Sequence, residues 1–291
     1  MTNVAPDRKS WWRLTAGYVL ALLVLACAIH YLGVQGDRFA IALGGLSIDR
    51  VVLALLLFVS TLAINATAFA FANRAFGVAA GRLALYGAWL ATLLAKYVPV
   101  GIGHVLGRGL VLSGYGVSSR VTAMVGLLEQ IVSLGLCAAI ALLAFAYRSD
   151  AAMSGWLLLG LAIAMAVATG AAIALRKHAA VKAGPLLASL ACYGAAMVPY
   201  CGAYLVLVDP AEPVRFVQAL FAGTVAGVLA ILVPGGVGVR ESVTAALSGG
   251  VNAETVLAGV VAARALILAS EVLASMFGHW CLRRARTTHE N

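Results

Sequence analysis

Glu129 and Arg264 are charged residues set deep in apolar sequence, the first about nine residues into the run 121–147 and the second about ten into the run 255–281. A charge in hydrocarbon costs at least ~2.5–3.5 kcal/mol on insertion scales, so each is expected to face the protein interior beside a partner. They stand 135 residues apart. The expectation is that they lie across one cavity, where they either pair or grip opposite charges of a substrate; a structural ion pair is the plainer alternative. Glu271 follows Arg264 by seven residues, close to two helical turns, and so shares its face as a third member or a partner.

A second set of polar groups accompanies broken sequence. In "VPGGVGVRES" (233–242), Arg240 and Glu241 follow Pro234, Gly235, Gly236 and Gly238. Adjacent residues on a helix point about 100° apart, so one of the two is free to bind a phosphate while the other anchors the fold. His104 and Arg108 stand at i and i+4 behind Pro99, Gly101 and Gly103, a spacing that presents a proton carrier and a phosphate ligand on one face. Lys96 is expected to snorkel to the headgroups.

The two broken stretches, "PVGIGHVLGRGLVLSGYGVS" (99–118) and "PGGVGVRESVTAALSGGVN" (234–252), align at the offset that separates Glu129 from Arg264. Pro99, Gly101, Gly103, Leu112, Ser113 and Gly114 match Pro234, Gly236, Gly238, Leu247, Ser248 and Gly249, which indicates an internal repeat. A Pro-Gly break inside a bilayer frees backbone groups, and it survives only within protein or beside a wet cavity. Half-helices starting near Gly103 and Gly238 would aim their N–H groups into that cavity, which suits an anion such as phosphate.

The elements that must hold these groups are membrane helices. Hydrophobic residues make up 63% of the 291 and charged residues 11%, with mean hydropathy +1.00, a composition outside the range of soluble domains. The net charge of +9 would suggest nucleic acid in a soluble chain, but here the cations gather at the ends of apolar runs and report topology. Cys27, Cys137, Cys192, Cys201 and Cys281 lie singly along such runs, so no metal site or disulfide framework is indicated. Runs near 14–33, 51–72, 83–98, 121–147, 154–175, 184–208, 215–233 and 255–281 predict an all-α, polytopic protein of about eight spanning helices, with two Pro-Gly broken or re-entrant segments. The first run is taken as an uncleaved helix, and residues 1–291 as a single integral membrane domain.

Basic residues cluster at the N-terminus, at 73–82, at 176–182 and at the C-terminus. Placing all four in the cytoplasm predicts an inverted repeat, with cores near 83–147 and 215–281, in which each broken segment supplies a net crossing. The rival is a pair of re-entrant hairpins, expected to put either the Lys177 connection or the C-terminus outside. No HExxH, GxSxG, Walker or aspartate-rich motif occurs, so no catalytic residue, metal or cofactor is assigned.

The stretches "KYVPVGIGHVLGRGLVLSGYGVSSRVTAMVGLLEQ" (96–130) and "VPGGVGVRESVTAALSGGVNAETVLAGVVAARAL" (233–266) resemble the lysylphosphatidylglycerol synthase transmembrane region, also called the flippase-like integral membrane family. Pro234 to Glu241 fits the family's PGG-hydrophobic-GxRE pattern, and Arg264 stands where an arginine is expected. Pro99 and Glu129 fit as well, whereas Val100 replaces the usual glycine and Gln130 the usual arginine. The resemblance implies a multi-pass protein of the inner cell membrane with cytoplasmic termini, working as a flippase or transporter. Its substrate would be a phosphate-bearing lipid, aminoacylated or polyprenyl. The alternatives are a lipid-binding subunit of a separate lipid-modifying transferase, and an embedded enzyme using Glu129 or Glu241 as base.

Overall fold

The run IDRVVLALLLFVSTLAINATAFAFANRA holds neither glycine nor proline, and it forms one unbroken helix, α1 (Ile48–Ala75), with Asp49 in its first turn and Arg74 in its last. Both charges complement the helix dipole. In the computed structural model, which describes residues 46–97, 103–148, 181–230, 236, 238–249 and 253–287, seven further α-helices and one 3-10 turn follow. These are α2 (Arg82–Ala91), a 3-10 turn (Leu93–Tyr97), α3 (Gly103–Ser113), α4 (Ser119–Arg148), α5 (Ala183–Val208), α6 (Pro213–Leu229), α7 (Val239–Ser248) and α8 (Ala253–Thr287). All regular structure among the described residues is helical.

Ile48–Ala75, Ser119–Arg148, Ala183–Val208 and Val256–Thr287 are long and apolar enough to cross a membrane. Large apolar side chains remain exposed along them, among them Leu53, Leu56, Leu273, Met276 and Phe277, as a lipid-facing surface requires. The protein is therefore of the helical membrane class. The runs 14–33 and 154–175, together with Pro99, Gly101, Pro234 and Gly235, lie outside the described residues.

The expected span 83–98 is not one helix. It breaks at Thr92, whose hydroxyl donates back to the carbonyls of Ala88 (2.8 Å) and Trp89 (3.3 Å) and so competes with the helix it ends. α3 then returns alongside α2. A methyl group on Gly107 would meet the Thr92 side chain at 3.1 Å, Arg108 lies over the Trp89 ring, and Tyr115 donates to the Leu282 carbonyl beside Gly87. The run 215–233 likewise supplies only one arm. α6 ends at Leu229, and α7 folds back along it, with Gly227 against Arg240, Gly223 against Thr244, and Arg215 donating to the Leu247 carbonyl. Both broken segments are thus helical hairpins that return to the end from which they start, which corrects the expectation that each adds a crossing.

Contacts between helix ends fix where those hairpins open. The Lys182 N–H donates to the Ala75 carbonyl (2.9 Å), joining the start of α5 to the end of α1, and Leu282 of α8 sits on Gly87 of α2. One end therefore collects Arg74, Arg82, Arg120, Lys182, Arg283, Arg284 and Arg286, with no acid among the described residues. At the other end Arg50 pairs with Asp209 (2.8 Å) and Arg148 donates to Gln218 (2.9 Å), so acids and bases mix. The α2–α3 hairpin opens at the basic end and the α6–α7 hairpin at the mixed end. With such hairpins the 73–82, Lys182 and C-terminal cations lie at one end of the bundle, while Lys177 lies outside the described residues.

Small residues let these arms approach. Gly236 (φ +64°) and Gly238 (φ +85°) occupy the left-handed region that a side chain disfavours, and Gly236 backs directly onto Gly227. A methyl on Gly223 would collide with the Thr244 hydroxyl and stand 2.7 Å from the Arg240 carbonyl oxygen. Close backbone contact through small residues is the usual means of helix association in lipid. Gly223→Ala is expected to destabilise the protein by ~1–3 kcal/mol, read as a lowered Tm in detergent, because the overpacked site has no void to absorb it.

A second expectation concerns sidedness. Single cysteines at Gly81, Ser118 and Ala183, in a background cleared of the native five, should react with an impermeant maleimide from one face of the membrane. A cysteine at Ala211 should react from the opposite face. Labelling of Ser118→Cys and Gly81→Cys from different faces would contradict the hairpin.

Candidate functional site

α8 passes the tips of both hairpins, and its two buried charges are answered by residues from both. Arg264 Nε lies 3.9 Å from Glu241 Oε1 at the start of α7, and its guanidinium lies over the Tyr97 ring. Glu271, on the same face, is paired with Lys96 and accepts a hydrogen bond from the Tyr97 hydroxyl (3.0 Å). In α8 (Ala253–Thr287) Arg264 is eleven residues from one end and Glu271 sixteen from the other, which places them ~16 and ~24 Å from those ends. The charges straddle the middle of the span.

The α7 start shows why its sequence folds as it does. Glu241 accepts from the Gly238 backbone N–H (2.7 Å), closing the first turn with a carboxylate where the dipole favours one. Arg240, about 100° round the helix, points elsewhere: its Nη2 donates to the Tyr204 hydroxyl (2.7 Å), and its guanidinium lies over the rings of Tyr200 and Tyr204. Arg240 also lies within electrostatic reach of Arg264 and Lys96. Lys96, Arg240 and Arg264 thus lie near Glu241 and Glu271, so that among the described residues this cluster sets three bases against two acids. Concentrating like charges at low dielectric is unfavourable, and an added anion relieves it.

Glu129 belongs to a different cluster. It pairs with Arg108, accepts from Trp89 Nε1 (3.0 Å), and shares Arg108 with the faces of Phe69 and Trp89. Arg108 is only 2% exposed and Glu129 7%, so this is a neutral, buried pair. The expectation that Glu129 and Arg264 might bind each other is not met: each takes its partner from the short helix of its own hairpin. The signs are exchanged, base on α3 and acid on α4 in the first, acid on α7 and base on α8 in the second. His104 meets Gln130 at 3.1 Å, within the same hairpin as Arg108.

Of the residues singled out from sequence, Arg240, Glu241, Arg264 and Glu271 come together, and Arg108, His104 and Glu129 form the second group. Gly103 begins α3, while Gly236 and Gly238 shape the start of α7. Sequence reasoning missed Lys96, Tyr97, Trp89, Tyr200 and Tyr204. Lys96 does not snorkel, because it is committed to the buried Glu271. Its place immediately before a Pro-Gly break was the available signal. No group of three or more metal-ligating side chains occurs among the described residues.

Removing one partner of a buried pair strands the other charge, which costs ~3–5 kcal/mol. Glu129→Ala is therefore expected to lower Tm in detergent sharply, whereas the paired replacement Arg108→Met with Glu129→Leu should recover most of the loss. Equal instability of the single and double variants would show that the pair's charges are not what matters there.

Compared with family models, with curated proteins and with solved structures, the chain matches none.

Proposed function

We propose that this protein moves a phosphate-bearing lipid across the membrane, the headgroup passing where the tips of the α2–α3 and α6–α7 hairpins meet. The observation that carries this reading is the excess cation at mid-depth: Lys96, Arg240 and Arg264 against Glu241 and Glu271. Charges so placed normally mark substrate paths. A monoanionic phosphodiester would neutralise the cluster, and arginine supplies planar, multiple donors suited to phosphate oxygens. Glu129 does not fit the role of an amine ligand while Arg108 occupies it, so the reading rests on the phosphate alone.

Two further elements belong to the same proposal. The units 83–147 and 215–281 form an inverted repeat, in which a hairpin is followed by a long helix and the two hairpins enter from opposite faces; transporters place discontinuous helices at the midplane in this way. The end bearing Arg74, Arg82, Lys182 and the Arg283–Arg286 group faces the cytoplasm of a cell membrane, by the excess of cations there. The resemblance of 96–130 and 233–266 to the lysylphosphatidylglycerol synthase transmembrane family agrees with a lipid substrate.

The test is movement of fluorescent phospholipid in proteoliposomes, read by dithionite quenching of the outer leaflet. Wild-type protein should move an anionic phospholipid, and Arg264→Ala or Arg240→Ala should slow it by about tenfold or more while remaining inserted and monodisperse. A wild-type protein inert towards every phospholipid tried would overturn transport and favour a lipid-holding subunit of a separate transferase.

A further inference from the structure

α5 joins the two charge clusters, and the groups it presents to them are tyrosine hydroxyls. Tyr193 lies within electrostatic reach of Arg108 and Glu129, and Tyr200 and Tyr204 flank Arg240. Tyr193 and Tyr200 are seven residues apart, hence on one face and ~10 Å apart along the axis. Tyr204 is one turn further, its ring 5.2 Å from that of Tyr200.

Four buried donors on this path have no hydrogen-bond partner among the described residues: the hydroxyls of Tyr193 and Tyr200, and Nε of Arg108 and of Arg240. Buried polar atoms are almost always satisfied, and each exception calls for an explanation. Here the exceptions are paired. At each cluster an arginine sits over aromatic rings, donates through a terminal nitrogen to a protein acceptor and leaves Nε–H unused, and a tyrosine of α5 near that cluster leaves its O–H unused. Phenylalanine would fill the same space without leaving a hydroxyl unsatisfied, so packing does not account for either tyrosine.

We infer that the α5 face bearing Tyr193 and Tyr200 is the polar track of the transport path. Arg108 with Tyr193 and Arg240 with Tyr200 serve as two successive resting sites for the headgroup phosphate. This rests on the transport reading above and deepens it: one site belongs to each hairpin, and the phosphate leaves one pair of donors as it reaches the other. Phosphate oxygens accept from both donor types, and every transfer exchanges like for like, with no covalent step.

The experiment compares Tyr193→Phe, Tyr200→Phe and the double variant with wild type. Vesicles of phosphatidylcholine carry trace acyl-labelled phosphatidylglycerol, and Tm is measured in detergent. Each single variant is expected to keep or raise Tm, because an unsatisfied hydroxyl is removed, yet to slow the labelled lipid by about tenfold, with a larger loss in the double variant. Tyr204→Phe is the contrast: its hydroxyl already accepts from Arg240, so that variant should lose Tm. Wild-type rates in both Phe variants would overturn the track while leaving the transport reading standing. Absence of movement by wild type would overturn both.

Discussion

A charge that cannot reach water must be given a partner by the fold, and in this protein the partners lie on different pieces of chain. Arg264 and Glu271 sit on one face of α8, and they are answered by Glu241 from one hairpin and by Lys96 and Tyr97 from the other. The hairpins enter from opposite ends and have little reason to stop at the same depth unless something between them fixes it. α8 supplies that register. The glycines that admit the hairpin arms, Gly87 and Gly278 on one side and Gly223 and Gly227 on the other, then follow as the spacing this arrangement demands.

The two hairpins solve the same problem with opposite signs. In the first, the short helix brings the arginine and the long helix the carboxylate; in the second these exchange. Their surroundings differ to match. Arg108 and Glu129 neutralise each other between Trp89 and Phe69. Arg240 pairs with no carboxylate among the described residues and donates from Nη2 to Tyr204, which leaves three bases against two acids in the second cluster. The first cluster is balanced in charge and the second holds more bases than acids, and that contrast separates two groups of residues that look alike in sequence.

Much of this was legible before any coordinates. Glu129 and Arg264 were each placed within a long apolar helix, and the Pro-Gly stretches correctly marked where α3 and α7 begin. The hairpins themselves were hidden because the run 83–98 has the length and polarity of a span. Its break at Thr92 depends on a hydroxyl bonding back to its own helix, which carries no proline or glycine signature. Partner identities were hidden for a different reason: Glu129 is answered by Arg108 through the return of α3, and Glu271 by Lys96 across 175 residues, pairings fixed by tertiary approach. The tyrosines of α5 were overlooked because, in a hydropathy profile, an aromatic ring in an apolar run is indistinguishable from packing.

The uncompensated charge at the hairpin tips also lies inside the electric field of an energised membrane. One elementary charge crossing a full potential difference changes energy by ~2.3 kcal/mol per 100 mV, and a charge moved part of the way changes it in proportion. By themselves the three bases and two acids sum to one positive charge; with one monoanion bound they would sum to zero. Any rearrangement that shifts these tips relative to the bilayer therefore couples to voltage when the site is vacant and not when it is filled. In a carrier built this way the membrane potential would act on the return of the empty protein, and the loaded step would proceed without regard to it.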